Sequence, residues 1–250
     1  MATVALVTGA GRGIGRAIAL RLAKAGMAVG VTDVDAASAD AVAGEIRRAR
    51  GRALGAAGDV TSLDTMRGAV RAVEQELGPI DALVNNAGWD KMELFLDNDP
   101  ALWDRLIAIN YKGVLNTTRA VLEGMATRGG GRVVSIASDA GRVGSTGEAV
   151  YSGCKAGIIG FSKALAREVA AKGITVNVVC PGPTDTALLA EVGTTPRGAK
   201  IVAAMHRAIP LGRIGQPEDV VGAVAFLVSD EAAFVTGQVL SVSGGLSMVG

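Results

Sequence analysis

Seven short apolar runs recur along the chain, each closed by a turn-forming residue: TVALVT (3–8), AVGVT (28–32), ALGAAG (53–58), DALVN (81–85), RVVSIA (132–137), TVNVVC (175–180) and QVLSVS (238–243). Their nearly continuous apolarity predicts strands buried on both faces. Between them the apolar positions space out by three and four, as in IGRAIALRLAKAG (14–26), LDTMRGAVRAVEQEL (63–77), AGIIGFSKALAREVAAKG (156–173) and PEDVVGAVAFLVS (217–229), which predicts helices. Strands that alternate with helices make a parallel sheet, because each parallel crossover carries a helix back over it. The expectation is an α/β fold, a single-domain doubly wound parallel sheet of Rossmann type, with about seven strands and helices on both faces across residues 1–250. One segment breaks the rhythm. Over 183–215, PTDTALLAEVGTTPRGAKIVAAMHRAIPLGRIG, mixed Gly, Pro and basic residues predict a substrate flap, since long insertions in compact domains often act as lids.

Aromatic residues make up only 3% of a chain that is 49% hydrophobic, so the core is built from Val, Ile, Leu and Ala. The 35 glycines, about twice the usual share, are scattered and read as tight turns rather than a linker. Lys and Arg number 25 against 24 Asp and Glu, a balance that offers no field for nucleic acid or an anionic membrane. No apolar run is long enough to span a bilayer and no basic-then-apolar leader opens the chain, so a cytoplasmic location is expected. Cys154 and Cys180 lack metal-ligand spacing and any disulfide framework; they read as small buried hydrophobes, and no metal is expected.

TGAGRGIG (8–15) follows the first predicted strand and opens the first predicted helix. There Gly9, Gly13 and Gly15 allow a tight turn, close approach of backbone to a pyrophosphate and helix-to-strand packing, with Arg12 and Ile14 between them. Asp33, 18 positions after Gly15, ends the second strand. A carboxylate there accepts from the ribose hydroxyls and repels a 2′-phosphate, which favours NAD over NADP. Arg12 is the dissenting cation, able to meet a 2′-phosphate, the pyrophosphate or solvent.

YSGCK (151–155) places a tyrosine four positions before a lysine. On a helix the two side chains share a face one turn apart, and the cation is expected to favour the phenolate and so tune the phenol for proton transfer. Tyr111, the other tyrosine, has no cation four positions on and reads as a packing residue.

Taken in order, these motifs resemble the short-chain dehydrogenase/reductase family over essentially the whole chain. Its glycine motif is TGAGRGIG; its Asp-Val matches Asp59 and Val60, expected near the adenine; its N-N-A-G is NNAG (85–88), with Asn86, Ala87 and Gly88 at the nucleotide. Its helix asparagine matches Asn110, its serine Ser138, its Y-x-x-x-K Tyr151 and Lys155, and its P-G Pro181 and Gly182, with Thr184 and Thr186 beyond. The resemblance implies NAD-dependent interconversion of a secondary alcohol and a ketone. Tyr151 would move the proton, Lys155 hold the nicotinamide ribose, Ser138 bind the substrate oxygen and Asn110 hold a water linking Lys155 to solvent. Thr184 and Thr186 would lie beside the nicotinamide amide and phosphates. A homotetramer is the implied assembly.

Four stretches, NNAGWD (85–90), IASDAGRVGSTGEAVY (136–151), CPGPTDTALLAEV (180–192) and GQVLSVSGGLSM (237–248), are similar to the family's branch that converts 2-hydroxycyclohexanecarbonyl-CoA to 2-ketocyclohexanecarbonyl-CoA. Trp89, Gly144 and the apolar flap would hold the ring, and Lys91, Arg142, Arg197 and Lys200 are candidate cations for CoA phosphates. Two other enzymes are open: a dehydrogenase for free secondary alcohols, and a 3-oxoacyl carrier-protein reductase. A nucleotide-sensing binding protein is a further alternative, against which the intact Asn110, Ser138, Tyr151 and Lys155 argue.

Overall fold

The computed structural model describes residues 3–249 apart from 193 and 195, with the side chains of 188, 196 and 197 also outside the description, so the expectation for Arg197 lies outside the described residues. All seven expected strands form: β1 (Val4–Thr8), β2 (Ala28–Asp33), β3 (Ala53–Ala57), β4 (Ile80–Asn85), β5 (Gly131–Ile136), β6 (Ile174–Pro181) and β7 (Val239–Val242). They pair in parallel in the order β3-β2-β1-β4-β5-β6-β7. The helices between them are α1 (Gly13–Lys24), α2 (Ala36–Arg48), α3 (Leu63–Leu77), α4 (Pro100–Ile107), α5 (Gly113–Arg128), α6 (Ala140–Val143), α7 (Ala149–Val169), α8 (Ala187–Val192), α9 (Pro196–Ala208) and α10 (Pro217–Leu227).

Alternation within each strand divides the core into two layers. Ala5 and Val7 of β1 pack with Ile18 and Leu22 of α1, Val42 and Ile46 of α2 and Val220 and Val224 of α10. Val4 and Leu6 face the other way, toward Met66 and Val73 of α3, Val121 and Met125 of α5 and Leu165 and Val169 of α7. Both faces of the sheet are therefore covered, which explains the nearly continuous apolarity of its central strands.

The chain runs outward from β1 through β2 to β3 and then returns to place β4 on the other side of β1. The crossovers diverge there and open a crevice beyond the carboxyl ends of β1 and β4, the usual ligand position in such sheets. α4 begins at Pro100, its N-terminus capped by Asp99, whose carboxylate accepts from the Ala101 N–H at 2.7 Å. It passes through a π-helical turn at Ala108–Lys112 into α5, and Asn110 sits in that turn. The 183–215 segment is largely helical, carrying α8 and α9. Its two ends are tied together, Gly215 N donating to the Pro183 carbonyl at 3.0 Å and Asp185 N to that of Gly215 at 2.8 Å. Tyr111 packs in a small cluster with Val114, Ile158 and Val178, and both cysteines are buried and unpaired.

Gly30 in β2 marks how tightly the α3 layer sits. A Cβ there would lie 2.7 and 2.8 Å from the Val73 methyls and 3.0 Å from Leu6 Cδ1. Replacing a strand glycine by alanine ordinarily gains stability. Gly30→Ala is instead expected to cost about 1–3 kcal/mol through overpacking, read as a lower urea midpoint.

Candidate active site

A cleft of about 1340 Å³ opens at the carboxyl ends of the strands, between the glycine loop and the α8–α9 segment. At one end Gly9 and Gly13 have φ of +59° and +54°, backbone states that favour glycine. A Cβ on Gly15 would lie 2.2 Å from the Gly9 carbonyl oxygen, so helix and loop close only around a bare backbone. Arg12, Gly13, Ile14 and Gly15 line this end, with Asp33, Asp59, Val60, Asn86, Ala87 and Gly88. The Asp33 carboxylate accepts from the Gly11 N–H at 3.0 Å and from the Asp35 N–H at 3.1 Å, fixing it at the end of β2. The glycine cradle, the helix N-terminus and the strand-end carboxylate fit a nicotinamide dinucleotide.

NNAG holds this loop from behind. Asn86 Nδ2 donates to the Thr8 and Gly9 carbonyls at 2.9 and 3.0 Å, while Thr8 Oγ1 accepts from the Asn86 and Ala87 N–H groups at 3.0 and 3.1 Å. The Asn86 side chain, expected at the nucleotide, is thus bound to the loop's own carbonyls. Asn116 in turn donates to the Val60 carbonyl at 2.8 Å.

At the cleft floor stand Ser138, Tyr151, Lys155, Pro181, Gly182, Thr184 and Thr186. Tyr151 and Lys155 lie one turn apart on α7, with the ammonium 5.4 Å from the phenol ring centroid. The Ser138 hydroxyl accepts from the Ala140 N–H at 3.1 Å and lines the cleft with Tyr151. Lys155 is 3% exposed and donates to the Ile136 carbonyl at 3.0 Å. Thr184 Oγ1 donates to the Gly182 carbonyl at 2.9 Å.

One expectation changes here. Lys155 does not bring the phenol's pKa down. Burial raises it, the Asp90 and Glu148 carboxyls add to the rise, and only Ser138 opposes them. Burial also pulls Lys155 down to about 8, against the opposing pull of Cys154, Cys180 and Asp90. Asn110 is completely buried and its amide is committed to protein: Nδ2 donates to the Trp89 and Leu106 carbonyls at 2.6 and 3.0 Å, and Oδ1 accepts from the Trp89 N–H at 3.2 Å. It braces the segment after NNAG.

Trp89 and Gly144 line the cleft as expected for a ring-binding wall, joined by Val143, Leu189, Val192, Ile201 and Met205. The candidate cations divide. Lys91 reaches the cleft but pairs with Glu93 at 2.8 Å. Arg142 donates to Ser241 Oγ at 2.7 Å and to the Val249 carbonyl. Lys200 is exposed on α9, whose cleft side is formed by Gly198, Ile201 and Met205. Asp90 and Glu148 also line the cleft, and Arg105 stacks over Trp89 at 3.8 Å. No local signal in the sequence marks these three, which meet their partners only through the fold.

A parallel seven-stranded sheet with this cleft defines a nucleotide-dependent oxidoreductase class, and the comparisons agree. The family model described as enoyl-(acyl carrier protein) reductase matches residues 9–247. The chain is 42% identical over 245 residues to an acetoacetyl-CoA reductase of Shinella zoogloeoides, covering 98% of each. It is 41% identical over 246 residues to a 3-oxoacyl-[acyl-carrier-protein] reductase of Escherichia coli, again 98% of each. The solved structure of levodione reductase superposes with a TM-score of 0.93 at 30% identity, over 97% of this chain and 96% of that one. The chain belongs to the short-chain dehydrogenase/reductase family and is an oxidoreductase that uses a nicotinamide nucleotide.

Asn86→Ala leaves the Thr8 and Gly9 carbonyls without that donor. It is expected to cost about 1–3 kcal/mol of stability and to weaken nucleotide binding, checked by denaturant unfolding and titration calorimetry.

Proposed function

We propose that the cleft interconverts a ketone and a secondary alcohol at the carbon β to a thioester carbonyl, using NAD(H). The observation that carries the chemistry is a half-buried phenol one helical turn from a buried lysine ammonium, with Ser138 lining the same floor of a nucleotide-fitting cleft. When bound, the nicotinamide supplies or accepts the hydride. Ser138 holds the substrate oxygen and Tyr151 gives it a proton in reduction or takes one in oxidation. Lys155 stabilises the phenolate left by reduction and holds the nicotinamide ribose. Asn110 fixes Trp89 and with it the substrate wall. Gly9, Gly13 and Gly15 receive the pyrophosphate, Asp33 the adenosine ribose, Asp59 and Val60 the adenine, and Pro181, Gly182, Thr184 and Thr186 the nicotinamide end.

The β-oxyacyl thioester class is supported by relatives named for acetoacetyl-CoA and 3-oxoacyl carrier-protein substrates. In 2-hydroxycyclohexanecarbonyl-CoA the ring hydroxyl stands in the same β relation to the thioester, so the ring substrate is a special case of one chemistry. The apolar wall around Trp89 supports the alicyclic member. Free ketones are the second reading, favoured by the few uncommitted cations at the mouth. The α8–α9 segment closes over the substrate as a flap.

Tyr151→Phe is expected to lower turnover by about 10²–10⁴-fold while nucleotide binding persists, measured by reduced-nicotinamide absorbance and fluorescence titration. Repulsion between unit charges near contact is worth roughly 1–4 kcal/mol, so Asp33→Ala is expected to shift the NAD-over-NADP preference in kcat/KM by about tenfold or more. Substantial turnover by the phenylalanine variant would remove Tyr151 from the mechanism.

A further inference from the structure

Two acids in the cleft have no part in the chemistry described so far. Asp90 is only 8% exposed and lines the cleft, and its Oδ1 has no hydrogen-bond partner among the described residues. Its carboxyl lies within hydrogen-bonding reach of that of Glu148, the residue before α7. Two carboxyls can make that bond only if one keeps a proton.

The surrounding loops are built to hold them there. Asn110 clamps both polar groups of the Trp89 peptide, and Arg105 covers the Trp89 ring. The Glu93 N–H donates to the Gly147 carbonyl at 2.8 Å, which stitches the Asp90 loop to the Glu148 loop. The groups facing Asp90 are Glu148, Tyr151, Cys154 and Lys155, with the Lys91 N–H. Burial, then the hydrogen bond and charge of Glu148, push Asp90 up to about 8, toward its protonated form.

We propose that Asp90 and Glu148 share one proton and form a substrate-selecting wall beside Tyr151, one that admits uncharged acyl derivatives and turns away free carboxylates. The pair then carries one negative charge in the wall that Asp90 and Glu148 both line. A substrate carboxylate would add a second charge in a poorly solvated place, whereas an ester or thioester would not. The proposal rests on the alcohol–ketone chemistry at Tyr151 and adds the reason that the acyl group must be neutral.

The test follows NAD reduction with 2-hydroxycyclohexanecarbonyl-CoA, the ethyl ester of the same hydroxy acid and the free acid. The protein is expected to favour the ester over the acid by about a hundredfold in kcat/KM, and Asp90→Asn with Glu148→Gln to cut that ratio by about tenfold or more, mainly through the KM of the acid. An unchanged ratio in the double variant, or equal use of ester and acid by the unaltered protein, would overturn the wall. Turnover of the ester without the thioester would instead sink the thioester reading and leave the wall standing.

A second measurement needs no turnover. Asp90 is protonated more readily in the fold than in the unfolded chain, so its contribution to stability is full below its ordinary value of 3.8 and is lost as pH rises toward about 8. The denaturation midpoint is expected to fall over that range, and Asp90→Asn to flatten the fall. The same slope in both proteins would overturn the shared proton even if none of the three substrates reacts.

Discussion

The Asn86 amide ties the two central strands together where they end. One side chain satisfies the carbonyls of Thr8 and Gly9, and the Thr8 hydroxyl returns two bonds to the NNAG backbone. That clasp joins the last residue of β1 to the residues just beyond β4, across the point where the crossovers diverge. It fixes the glycine loop ahead of the α1 N-terminus by satisfying the Thr8 and Gly9 carbonyls. It also sets the start of the Gly88–Trp89–Asp90 segment, which Asn110 then carries toward the cleft floor.

Beyond the clasp, desolvation governs the chemistry. Burial raises the phenol of Tyr151, lowers the ammonium of Lys155 and raises the carboxyl of Asp90, each toward its uncharged form. A site in which charge is disfavoured holds its proton on Tyr151, ready for a substrate oxygen. In the proposed reduction, charge that develops on that oxygen would be met by Ser138 and by the proton itself. Lys155 would contribute after transfer in that scheme, when the phenolate needs a counter-charge.

What could be read from the chain was what local geometry decides. The strands were visible as short, mostly apolar runs, fully buried in β1 and β6 and only partly so in the edge strands β3 and β7, and the glycine loop because positive φ and close approach demand glycine. The Tyr151–Lys155 pair was visible because a helix brings i and i+4 together. α5 was harder to see. Its buried Asn116, Thr117 and Thr118 blur the apolar stripe, and partners such as the Val60 carbonyl and Asn85 exist only in the fold. The bonds of Asn110 to the peptide of Trp89 and the carbonyl of Leu106 were not legible, because they depend on how the π-helical turn meets the NNAG segment. The Asp90–Glu148 contact joins two loops far apart in sequence, and the direction of the Tyr151 shift follows from burial that no spacing reveals.

The most direct test of this account is a spectrophotometric titration of the phenol in the free protein. The chain has two tyrosines, so Tyr111→Phe leaves Tyr151 as the single phenol observed. No phenolate absorbance is expected through the neutral and mildly alkaline range, and a band only when the protein is in strong alkali or unfolded. Phenolate appearing near neutral pH would contradict it, and would show that Lys155 outweighs burial in setting the proton on Tyr151.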